Sequence, residues 1–151
     1  MKVSSKEWDV RCPNELRELF PKRSGYYFRV NHEFALKVLH ILSSTYQIPS
    51  PKLSKLANGS KEYAKYIYQS ETVLLRSRTH LKTIFHEFYH HLDNMTDGAY
   101  DSDDQEGGAT SLAWIFAEKL WAKFTLRTDP PDSWNPQSKS GEATKTKQIN
   151  F

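Results

Sequence analysis

The sequence predicts a single-domain α+β fold: a backing helix, a small three-stranded sheet, a histidine-bearing helix and a following glutamate-bearing helix. Three observations lead there. Apolar residues recur at helical spacing in separate stretches at residues 31–46, 81–92 and 106–124. Between the first two stretches lie short runs rich in β-branched and aromatic residues, punctuated by turn formers. The chain has 151 residues, enough for one domain with a genuine core.

Residues 1–13 are polar and irregular, with Trp8 and Cys12 as exceptions. Asn14 is placed to cap a short helix through Phe20, stopped by Pro21. Residues 26–30 read as a short strand or an extended lead-in. Asn31 then caps a strong helix to about Tyr46, with Phe34, Ala35, Val38, Leu39, Ile41, Leu42 and Tyr46 as its apolar stripe and Pro49 and Pro51 ending it. His40 faces away from that stripe, as a surface residue does. Residues 52–56, 63–68 and 72–76 read as strands of an antiparallel sheet, with Asn58-Gly59 and Gln69-Ser70 at the turns. Residues 63–68 read as an edge strand lining a cleft, where an extended peptide would add through main-chain hydrogen bonds. The alternative is a solvent-facing edge protected by Lys61 and Lys65. Thr79 is the expected cap of the next helix, and His80 reads as a surface residue.

That helix carries His86-Glu87-Phe88-Tyr89-His90, the pattern H-E-x-x-H. Positions i and i+4 stack on one helix face with Cβ atoms roughly 5–6 Å apart, so two imidazoles there can close on one zinc ion. Glu87 points about 100° further round and can reach a water beside such an ion, the task of a general base. The pattern sits on a well-formed amphipathic helix: Leu81, Ile84, Phe85, Phe88 and Leu92 fall on one side, His86 and His90 on the other. His91 lies too far round to join the same ion. Asp93 is placed either to orient a ligand histidine or simply to be solvated. Tyr89 is one of several tyrosines able to donate to a developing oxyanion.

A catalytic zinc site wants a third protein ligand. Downstream acids are Asp93, Asp97, Asp101, Asp103, Asp104 and Glu106. Ser102 and Gln105 read as a capping box opening a helix to about Phe124. On it Glu106 shares one stripe with Ala109, Ala113, Phe116, Ala117, Leu120 and Phe124, where an unpaired charge would be costly and a metal would resolve the cost. The alternative is an acid favoured by the helix dipole. Ala109, Ala113 and Ala117 would let this helix approach the histidine helix closely.

His86-Glu87-x-x-His90 followed by Glu106-x-x-Ala109-x-x-x-Ala113 on a second helix resembles the gluzincin group of zinc metallopeptidases. The small size is similar to that of the minigluzincins, and the ImmA/IrrE-like peptidases share the helix pair. The specific motifs span only His86 to Ala113, and the Gly107-Gly108 pair is poor helix material. The resemblance implies a zincin-like fold over residues 1–127, Zn2+ held by His86, His90 and Glu106, and Glu87 as the catalytic base of peptide hydrolysis.

The remaining composition bounds the partners. The formal charge of +3 comes without a dense Lys/Arg cluster, so there is no clear nucleic-acid signal, and a protease acting on DNA-bound proteins, as in SprT-like families, is disfavoured. No run approaches a membrane span or a signal peptide, and one cysteine permits no internal disulfide, so the expectation is a cytoplasmic, monomeric protein acting on a peptide or protein substrate. Residues 128–151, with Pro130, Pro131 and Pro136 among polar residues, read as a tail without its own core. Cys12 reaching the metal, or that tail entering the cleft, would make the protein latent. A zinc-binding regulatory or interaction module with weak or no peptidase activity stays open as the alternative.

Overall fold

The computed structural model describes residues 8–20, 28–57, 59–100 and 109–126, the last segment without the side chains of residues 109–111. The described chain is mixed α+β. In order it forms α1 (Asn14–Leu19), β1 (Arg29–Asn31), α2 (His32–Thr45), β2 (Lys52–Lys55), β3 (Ala64–Ile67), β4 (Thr72–Leu75), β5 (Arg78–His80), α3 (Leu81–Met95) and α4 (Ala109–Thr125). No described sheet closes into a barrel, and no described helix is long and apolar enough to cross a membrane.

The helices follow their periodicity. In α2 the Asn31 side chain accepts from the Phe34 N–H at 3.1 Å, closing an orphan donor of the first turn. Ala35, Val38, Leu39, Ile41 and Leu42 are buried on its inner face, and His40 is exposed, its Nδ1 3.0 Å from Ser50 Oγ. In α4 the expected stripe Ala113, Phe116, Ala117, Leu120 and Phe124 is fully buried. Ala113 and Ala117 leave room for α3 and α4 to pack against each other, with Phe88 on Phe116 and Phe85 on Phe124 across the seam. One cluster joins α2, α3, α4 and the sheets, and Trp8, Leu16 and Phe20 extend it into the N-terminal segment.

Two expected caps are corrected. Pro13, not Asn14, occupies the N-cap of α1, and the Asn14 Oδ1 accepts from the Arg17 guanidinium at 2.7 Å instead. His80, not Thr79, is the N-cap of α3. Thr79 belongs to β5, its side chain buried and its hydroxyl donating to the Arg76 carbonyl at 3.1 Å. The helix stops with Asp97 in the left-handed region (φ 57°) and the Gly98 N–H donating back to the Asp93 carbonyl at 2.9 Å, a six-to-one closure.

The sheet differs from expectation. Strand order is β2-β4-β3, with β3 antiparallel to β4 but β2 parallel to it. The parallel pair arises because the chain from β2 to β4 runs out through β3 and back, so β2 and β4 point the same way. β4 is central, with Val73 and Leu75 fully buried on one face and Thr72 buried on the other, whereas β3 and β2 are the two edges. A second, two-stranded antiparallel ribbon pairs β1 with β5 and leads directly into α3. The sequence patterning showed half of it, as the lead-in before α2, and missed its partner, since three residues are too few to display a period. Residues 101–108 and 127–151 lie outside the described residues, and with them Glu106, Asp101, Asp103, Asp104, the Ser102–Gln105 capping box and the C-terminal tail.

Candidate metal centre

α3 brings His86 and His90 together as its i, i+4 spacing requires, with ring centroids 5.1 Å apart and planes inclined at 70°. Both belong to a helix buried on most of its circumference. His86 is 7% exposed and Glu87 is 5% exposed, so the face expected to be polar is itself largely covered. α4 supplies part of that cover: the Trp114 ring sits over His86 with centroids 4.3 Å apart.

Burial sets the charge state. Desolvation, reinforced by the neighbouring His90, pushes His86 down to about 4, so at neutral pH it is a neutral imidazole, the form that ligates metal. The 3.9 Å approach of His86 Nε2 to Glu87 Oε2 is therefore not an ion pair. Desolvation, with the like charge of Glu62 as a lesser cause, pushes Glu87 up to about 8. His86 Nδ1 and Glu87 Oε1 are both buried with no hydrogen-bond partner. Orphaned polar atoms on two adjacent residues are a feature that a cation or a held water would relieve.

His90 is oriented from the edge of the sheet: Tyr68 Oη lies 2.9 Å from its Nδ1. Metal on Nε2 needs a proton on Nδ1, and Tyr68 is placed to accept it. Asn94, one turn further along α3, donates to the Tyr68 carbonyl at 3.0 Å and to Tyr66 Oη at 3.0 Å. His91 does what its angular position allows and no more. Its Nε2 donates to the Pro49 carbonyl at 2.7 Å, which leaves Nδ1 to accept from Tyr66 Oη at 2.8 Å. It is fully buried and neutral, with burial lowering its pKa. His91 is a satisfied core histidine, not a ligand.

A cavity of about 530 Å³ opens beside His86 and Glu87. Its walls include Trp114 and Thr83, Tyr63 and Ala64 at the start of β3, and Arg29, Arg78 and His80 from the β1–β5 ribbon. The edge strand thus meets the site, and His80, expected on the surface, is half-buried and lines it. Tyr89 is corrected: it is fully buried among Trp8 and Phe116, with its hydroxyl donating to the Tyr100 carbonyl at 3.2 Å. Asp93 is buried rather than solvated. Cys12 is half-buried against the main core and is not among the residues that line this cavity.

Among the described residues no group of three His, Cys, Asp or Glu side chains is arranged to hold a metal ion. Two of the three expected donors stand together on α3; the third, Glu106, lies outside the described residues. Sequence reasoning missed Tyr68 and Trp114. An aromatic off the apolar stripe of α4 was the signal available for Trp114, whereas the reach of Tyr68 to His90 depends on how β3 docks on α3. Compared with models of known protein families, with curated proteins and with solved structures, the chain matches none of them.

Proposed function

We propose that this protein is a zinc-dependent metallopeptidase of gluzincin type, built on a zincin-like fold. The observation that carries the reading is the pairing of His86 and His90 on successive turns beside a buried Glu87 with an orphaned oxygen, with His86 and Glu87 lining a 530 Å³ cavity. The residues fit the metal as far as they are described. His86 is held neutral, and His90 has an outer partner in Tyr68 that leaves its Nε2 for ligation. Glu106, the acid in the core-facing stripe of the sequence, completes the expected three-ligand set.

Zinc bound there would supply Lewis acidity and lower the pKa of an adjacent water. The protein's own groups do the rest. Glu87 takes the proton of the attacking water and delivers it to the leaving amine. Tyr68 and Trp114 hold the two imidazoles in place. The edge of β3, unpaired among the described residues, offers main-chain groups to an extended peptide, which would run past Tyr63 and Ala64.

The test is zinc per chain in wild type, Glu106→Ala and Asp104→Ala, followed by peptide hydrolysis by wild type and Glu87→Gln. The reading expects about one zinc in wild type, its loss in Glu106→Ala alone, and hydrolysis that disappears in Glu87→Gln with the metal retained. No zinc uptake would end it. Zinc without hydrolysis of any peptide would leave a regulatory or interaction module instead.

A further inference from the structure

β1 and β5 pair with Arg29 opposite His80 and Arg78 opposite Asn31. In an antiparallel ribbon these four side chains share one face, and Val30 and Thr79 share the other. Burial follows the alternation: Val30 and Thr79 are covered, Arg29 and Arg78 exposed. The exposed face looks into the cavity that holds His86 and Glu87, because both arginines and His80 line it. Among the described residues no carboxylate pairs with Arg29 or Arg78. Arg76, the third arginine of the lining, is committed: its Nε donates to the Glu62 carbonyl, its Nη2 to the Ser60 carbonyl, and its guanidinium stacks 4.5 Å over the Tyr63 ring. The acids of the lining are Glu62 and Glu87.

We propose that the β1–β5 ribbon is an anion subsite of this cleft, where Arg29 and Arg78 receive an aspartate or glutamate side chain of the bound polypeptide. Two arginines at diagonal positions on one face of a short ribbon each carry a guanidinium fork suited to bidentate capture of a carboxylate. A polypeptide is favoured over nucleic acid because the cations line a walled pocket with two acids in it, next to the β3 edge of the described sheet, rather than an open basic stripe. The subsite deepens the peptidase reading, on which it rests for its role in substrate choice; the recognition itself needs neither zinc nor turnover.

The experiment measures fluorescence anisotropy of full-length Glu87→Gln protein with two short labelled peptides, both amidated at the C-terminus, one with paired central glutamates and one with glutamines. Binding is measured at low ionic strength, with added zinc and with chelator. The glutamate peptide is expected to bind roughly three- to tenfold more tightly, with the difference shrinking in high salt. Arg29→Ala/Arg78→Ala should remove the preference, while Lys55→Ala/Lys119→Ala, which removes the same charge elsewhere, should keep it. Both arginines are exposed, so an unmoved thermal transition verifies folding. Equal binding of the two peptides, a preference that survives the double arginine change, or tighter arginine-dependent binding of duplex DNA overturns the proposal. Hydrolysis by wild type without acidic preference would remove the subsite and leave the peptidase; acidic preference without zinc uptake or hydrolysis would do the reverse.

Discussion

Glu87→Gln in the metal-free protein isolates the cost of burying the carboxyl that the catalytic reading depends on. The folded-state value of about 8 stands some 3.5 pH units above the ordinary 4.5. A group whose pKa is raised on folding stabilises most below its unfolded value, and that contribution is lost as pH rises through the folded value. At about 1.4 kcal/mol per pH unit, the ceiling for a rigid dry site is about 5 kcal/mol; local relaxation that admits water brings the expectation to on the order of 2 kcal/mol. Glutamine keeps the shape and cannot ionise. The variant should therefore gain on wild type by that amount between pH 5 and pH 8.5 (both roughly bracketing the titration), read by urea denaturation in the presence of chelator. Taking the difference at each pH cancels the histidines, which act with the opposite sign. A stability difference that is the same at both pH values would show that Glu87 is solvated in the folded protein, and the burial argument would fall.

Three further outcomes follow from the same geometry. His86 and His91 are held neutral by burial, so metal-free Glu87→Gln protein should be most stable above the unfolded histidine value of about 6.5 and lose stability as pH falls toward 4; a flat melting temperature across that window contradicts it. Tyr68→Phe removes the acceptor for His90 Nδ1 from a residue 39% exposed, so zinc affinity in competition titration should fall roughly 10- to 100-fold with little change in folding; unchanged affinity would remove Tyr68 from the metal site. Tyr66→Phe leaves the buried His91 Nδ1 without its donor and should cost about 1–3 kcal/mol in urea denaturation, whereas a loss under about 0.5 kcal/mol would mean that the network relaxes around the change.

Helices were legible because their signal is local. The stripe of α2, its Asn31 cap, the inner face of α4 and the stacking of His86 over His90 all follow from the 3.6-residue period and appear where the sequence puts them. The exclusion of His91 was likewise an angular argument, although only the fold reveals its partners, Pro49 and Tyr66. Strands of three or four residues carry too little pattern to choose partners. The parallel pairing of β2 with β4 and the β5 half of the β1–β5 ribbon were therefore invisible, and Thr79 was read as a cap rather than a strand residue.

By itself the sequence determined that two imidazoles and a carboxyl would share one helix, because helix geometry follows from the backbone alone. Tertiary structure decided everything that depends on residues distant in sequence. Docking of α4 and the sheets on α3 buries His86 and Glu87 and so moves both pKa values; the approach of β3 sets Tyr68 against His90; and the pairing of residue 29 with residue 80 carries two arginines to the same cavity. Such contacts are paired across dozens of intervening residues, and the physical reason they escape the sequence is that burial and desolvation belong to the packed neighbourhood rather than to any one segment.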